Sequence, residues 1–145
     1  MPEYTIETTY HLPCYRHRTY SAGSVAGACR KAIEDKDWSG AKLDRECATE
    51  TFVSGIWQGA EAAYSARLIP VPSQFEETIQ RKAGQFEILF GLLKMLLEDI
   101  RVGRPSADEW MVRAASAVAR AEAIMAGARD PDTATRTGDH SGDDR

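Results

Sequence analysis

The chain has 145 residues, of which 43% are apolar and 28% are charged, a composition typical of one folded globular domain and not of a disordered chain. Its net charge of −4 gives no general attraction to phosphate backbones or anionic lipids, so a nucleic-acid role would require a local basic patch. The longest apolar stretch, residues 86–100, is too short and too charged to span a bilayer.

Alternating residues predict two strands at the start of the chain. In residues 4–10, aromatic and β-branched side chains alternate with polar ones, which is typical of a half-buried strand. A second alternating run occupies residues 15–20, after a short link that contains Pro13. The two runs are therefore expected to pair as a β-hairpin.

A helix and a third strand complete this half of the chain. Ser24 is a suitable N-cap for a helix with one apolar face, and residues 51–57 again alternate in the manner of a strand. Residues 1–58 are thus predicted to form an antiparallel ββαβ layer of sheet and helix. Residues 59–72 include Pro70 and Pro72, which favour an extended connector.

Residues 73–127 are predicted to form an antiparallel helical hairpin. Ser73 with Glu76, and Ser106 with Glu109, have the spacing of capping boxes, each of which predicts the start of a helix. Gly103 suits a left-handed position at the end of the first helix. Residues 128–145 contain almost no apolar side chains, so a disordered tail is expected. The predicted fold class is α+β, in one domain overall.

The first helix of this hairpin has an apolar stripe wider than one neighbouring helix would cover. Apolar side chains recur every seven residues along this helix, and further apolar side chains between them widen the stripe. We expect the uncovered part to mediate self-association, or contact with a protein partner, through the residues Phe86, Phe90, Leu93, Leu97 and Trp110.

A basic and aromatic run offers an alternative function. Arginines and tyrosines interleave in residues 15–20, as in strands that contact phosphates and stack on bases. The alternative is therefore a nucleic-acid-associated regulator that uses Tyr15, Arg16, Arg18 and Tyr20. The same pattern also suits a half-exposed strand whose arginines only maintain solubility, and the acidic net charge disfavours nucleic acid as a partner.

Metal and cysteine chemistry have weaker signals. His11, Cys14 and His17 are three residues of the types that bind zinc, but a structural zinc site usually takes four ligands. None of the three cysteines has a recognisable catalytic base at a fixed spacing. No metal site, cofactor or catalytic residue is therefore predicted. The odd number of cysteines and the lack of a signal-type N-terminus favour the cytoplasm.

Two resemblances add to this interpretation. Met1-Pro2 followed directly by a strand resembles the tautomerase superfamily, which implies, as a remote alternative, a small enzyme whose Pro2 amine acts as a base. Those proteins place a long helix after the first strand, whereas a second strand is predicted here.

The pattern of the first 57 residues resembles small accessory domains of bacterial mobile elements, of the DpnD/PcfM-like type. It consists of a tyrosine-rich strand, a strand with arginine and tyrosine, a helix of the form S-x3-A-C-x2-A, and a strand ending in Ile56-Trp57. The resemblance implies a bacterial, non-enzymatic accessory role and leaves the helical hairpin outside it.

Overall fold

The computed structural model describes residues 1–131, and most of the predicted tail, residues 132–145, lies outside the described residues. The fold is α+β, as predicted, with small antiparallel sheets and two C-terminal helices that pack together. In chain order the elements are β1 (Tyr4–Thr9), β2 (Cys14–Tyr15), α1 (Val25–Glu34), β3 (Lys42–Leu43), β4 (Phe52–Gln58), a 3-10 turn (Ser73–Phe75), α2 (Thr78–Arg101) and α3 (Asp108–Met125).

The strands pair differently from the predicted hairpin. β1 pairs antiparallel with β4, which places Ile6 opposite Ile56, and β2 forms a separate short ladder with β3. The prediction that residues 4–10 pair with residues 15–20 is therefore wrong. Residues 16–20 leave the strand because the side chains of Arg16, Arg18 and Tyr20 turn toward the polar groups at the end of α1.

The main sheet contains a bulge, and Trp57 lies over the backbone next to it. Glu7 lies opposite Gly55 while Thr8 lies opposite Val53, so Ser54 is an extra residue in β4. The Ser54 hydroxyl donates to the Glu7 carboxylate at 2.6 Å. The indole of Trp57, only 5% exposed, lies across the position that a side chain at residue 55 would occupy.

Helix ends confirm some of the predicted caps and contradict others. Ser24 caps α1 by accepting from the Gly27 amide at 3.1 Å, as predicted, and Gly103 takes the left-handed conformation that ends α2, with φ of 65°. Neither predicted capping box forms. The hydroxyl of Ser73 instead accepts from the amide of Asp130 at 2.8 Å, and α2 begins five residues later, at Thr78.

The core of the described residues is small. Its buried apolar side chains are Trp57 and Ala62 in the N-terminal half and Ala117 and Ile124 in α3. No large side chain in residues 1–131 is completely buried. Three polar residues of α2 are more buried than most of its leucines: Arg81, Gln85 and Asp99.

Candidate interaction surface

An apolar row runs along the exposed side of α2. Its members recur at alternating steps of four and three residues, which is the spacing of a helix seam that packs against another helix. We call this row the α2 stripe, formed by Ile79, Ala83, Phe86, Phe90, Leu93, Leu97 and Ile100. Its six large side chains are between 49% and 74% exposed, so almost the whole row faces solvent.

Helix α3 covers a different face of α2. Gln85, only 4% exposed, donates its amide to the Ala117 carbonyl at 2.7 Å, and this contact fixes the face of α2 that meets α3. Leu92 and Leu96 lie on the same face and are partly covered. The predicted excess width of apolar surface is therefore present in the fold, because the hairpin partner covers only one side of it.

The predicted interface residues differ in their placement. Phe86, Phe90, Leu93 and Leu97 are all exposed members of the α2 stripe, and the rings of Phe86 and Phe90 stack at 6.1 Å. Trp110 is partly covered at the start of α3, where the Arg113 guanidinium lies 4.6 Å from its ring centre.

A second apolar row lies beside the first on the same side of the hairpin. Met111, Val118 and Met125 recur every seven residues along α3 and are 50% to 81% exposed. Phe86 of α2 and Met125 of α3 line one groove of about 390 Å³ between the helices. The two rows therefore meet at one apolar groove at this end of the hairpin.

The chain exposes far more surface than a compact monomer. Its accessible area is 12126 Å², whereas a folded monomer of 16.0 kDa exposes about 7,400 Å². Residues 132–145 can contribute at most about 2,200 Å² of this in any conformation, which leaves about 9,900 Å² for the rest. The excess of about 2,500 Å² is larger than the roughly 800 Å² that each partner buries in an ordinary specific interface.

A buried arginine anchors the end of the described chain to the hairpin. The side chain of Arg81 is 4% exposed and donates to the Ala128 carbonyl at 2.7 Å and to the Asp130 carboxylate at 2.8 Å. Arg120, half exposed, also contacts Asp130, at 3.1 Å. The described part of the predicted tail is thus held in place. This contact was not predicted from the sequence. The available signal was the charge of Arg81, which helix spacing places on the same face as Leu92 and Leu96.

Removing the carboxylate from this contact is expected to destabilise the hairpin. Asp130→Ala leaves the buried Arg81 charge without its partner, which typically costs about 3 kcal/mol or more. Arg120→Ala removes the half-exposed cation from the same carboxylate and should cost at most about 1 kcal/mol. Urea unfolding followed by circular dichroism measures both. Equal effects of the two substitutions would contradict the burial-based ranking.

The predicted nucleic-acid residues are engaged within the molecule. The Arg16 guanidinium, with 9% of its side chain exposed, donates to the backbone carbonyls of Ala32, Asp35 and Asp37 at the end of α1 and stacks on Trp38 at 4.2 Å. Arg18 pairs with the carboxylate of Asp35 at 3.1 Å and with that of Asp37 at 2.8 Å.

Tyr20 belongs to the same cluster. Its hydroxyl donates to the Asp35 carboxylate at 2.7 Å, which holds the pKa of Asp35 below its ordinary value and raises the pKa of Tyr20. Tyr15 is 39% exposed and packs its ring on His17 at 5.5 Å. The two arginines therefore close the end of α1 and have nearby carboxylates as counter-ions.

The remaining candidate residues do not assemble into a chemical site. His11 stacks on Phe52 at 5.5 Å and approaches Glu77 at 3.3 Å, while His17 lies against Tyr15. Within residues 1–131, no three metal-binding side chains lie close enough together to hold an ion. Cys14, Cys29 and Cys47 are free and exposed, and Pro2 is exposed ahead of β1.

Comparison with protein-family models, curated proteins and solved structures finds no match to the chain. In the part of the chain that the structure describes, no helix has the length and apolar character needed to cross a membrane.

Proposed function

We propose that this chain is a non-catalytic interaction protein that self-associates through the apolar face of its helical hairpin. The observation that carries the proposal is the α2 stripe, whose six large apolar side chains are each about half exposed or more exposed along more than five helical turns. Exposed apolar faces of this extent on soluble proteins usually mark interaction sites.

The second copy is the occupant that the surface best supports. The stripe is continuous and apolar, and an identical stripe on another copy can cover it with no further component. The excess accessible area is about 2,500 Å² for each chain and so about 5,000 Å² for two, which is within the range of roughly 2,000–5,000 Å² or more that obligate dimers bury in total. The nucleic-acid alternative has less support, because Arg16 and Arg18 already contact carbonyls and carboxylates of the same chain.

Light scattering on the untagged protein, measured as it leaves a size-exclusion column, tests the proposal. The expected mass is twice the 16.0 kDa of one chain, and it should persist on dilution to micromolar concentration. The absorbance ratio of the same peak reports bound nucleic acid. A mass of one chain at every concentration would overturn the proposal, and a peak that carries nucleic acid and loses it at high salt would favour the alternative.

A further inference from the structure

We infer that two copies pair their α2 helices antiparallel, about a two-fold axis that passes between Phe90 and Leu93. This inference rests on the proposed self-association and specifies the partner surface, the direction and the register. It follows from the order of large, small and charged residues along α2. The neighbouring row on α3 would then meet its own copy across the same axis and complete a four-helix bundle.

Side-chain sizes along the stripe are complementary in this register. Phe90 lies opposite the partner subunit's Leu93, and Phe86 lies opposite the partner subunit's Leu97. Ala83, the smallest member of the α2 stripe, lies opposite the partner subunit's Ile100. Each phenylalanine thus meets a leucine, and the small residue leaves room for a bulky one, as close packing requires. Ile79 lies beyond the end of the partner subunit's α2 in this register.

The charges beside the stripe are complementary in the same register. Gln80, Glu87, Lys94 and Arg101 follow one flank at intervals of seven residues. In the inferred register Glu87 lies beside the partner subunit's Lys94, and symmetry forms this pair twice. Lys94 already leans over this surface, with its ammonium 5.6 Å from the centre of the Phe90 ring.

Shifting the antiparallel register by one heptad in either direction loses this complementarity. One shift brings the two Glu87 carboxylates together at the axis, and the other brings the two Lys94 ammonium groups together. Like charges at such positions disfavour a register, which is how flanking residues select helix partners. A parallel pair gains contacts between Lys82 and the partner subunit's Glu87, but it sets Ala83 against Ala83 and leaves a void in the seam.

Cysteine cross-linking tests direction and register. In a background with Cys14, Cys29 and Cys47 changed to serine, Ala83→Cys and Ile100→Cys are made as separate proteins and mixed through denaturant to exchange subunits. Mild oxidation should join the two variants to each other on a non-reducing gel. Neither variant should cross-link alone, since identical positions lie roughly 25 Å apart along the helices at a rise of 1.5 Å per residue.

The outcomes separate this inference from the proposed function. Self-cross-linking of Ala83→Cys would show a parallel pair. Preferential joining of Ala83→Cys to a third variant, Leu93→Cys, would show the shifted register that brings the two Glu87 carboxylates together. Either result overturns the inference while the dimer stands. A monomeric background protein would overturn both proposals.

A charge exchange gives an independent reading of the same register. Glu87→Lys should weaken the dimer by about tenfold, because two attractive pairs become repulsive. Adding Lys94→Glu to the same chain should restore the affinity, since each pair is then re-formed with its charges reversed. Failure of the double variant to recover would overturn the inferred register.

Discussion

Leu93→Asp is expected to abolish self-association. Leu93 is 54% exposed in the single chain and lies at the centre of the α2 stripe, so an aspartate there can reach solvent in the single chain. In a dimer it would place two carboxylates in an apolar seam, where unpaired charges are strongly disfavoured. The two leucines alone contribute about 3 kcal/mol or more of burial, so the dissociation constant should rise by at least about 100-fold.

Val112→Asp is the matched control for this substitution. Val112 is 69% exposed on α3, but helix spacing places it away from the row formed by Met111, Val118 and Met125. The same change in charge, with a smaller loss of volume, should therefore leave the mass from light scattering unchanged. Circular dichroism verifies that both variants are folded. If Leu93→Asp remained folded and kept the mass of the wild-type protein, the α2 stripe would not be the interface.

Gly55→Ala is expected to have the largest effect on the stability of the N-terminal half. A methyl group at residue 55 would lie 2.4 Å and 2.7 Å from two atoms of the Trp57 indole. Trp57 is one of two buried apolar residues in this half, and its ring also packs against Tyr64 at 4.8 Å. Since the ring cannot move without losing this packing, the substitution should cost about 3 kcal/mol, at the upper end of overpacking penalties.

Urea unfolding followed by circular dichroism measures this cost, and Gly84→Ala provides a comparison with the same added methyl group. A side chain at residue 84 would meet no atom within 4 Å, and alanine is the better helix former. Gly84→Ala should therefore stabilise α2 by about 0.5–1 kcal/mol. An unchanged unfolding midpoint for Gly55→Ala would mean that the indole does not occupy the space above Gly55.

Local sequence signals predicted the elements of this fold better than their pairing. The alternation around Ile6 and Ile56 and the cap at Ser24 depend on neighbouring residues, so they could be identified from short windows. The pairing of β1 with β4 joins residues about fifty positions apart, and nothing local distinguishes it from a hairpin. The Ser73 capping box was predicted wrongly for a related reason, since its hydroxyl accepts instead from the amide of Asp130, far along the chain.

The candidate surface likewise has features that local spacing predicts and features that only the tertiary fold determines. Helical periodicity was sufficient to predict that Phe86, Phe90, Leu93 and Leu97 would share an apolar face, because spacing alone determines which side chains lie together on a helix. The interleaved arginines of residues 15–20 wrongly indicated a basic strand. The carboxylates of Asp35 and Asp37 balance the charges of these arginines, and only the tertiary fold brings the end of α1 close to the arginines.

No large side chain in residues 1–131 is completely buried, and this affects how the stability of the protein must be measured. If the second copy supplies part of the missing core, folding and association become one equilibrium, and the free energy of unfolding depends on protein concentration. Each tenfold dilution then lowers the free energy of unfolding of the dimer by about 1.4 kcal/mol. The melting temperature would then depend on protein concentration, and the chain would be least stable in the most dilute samples.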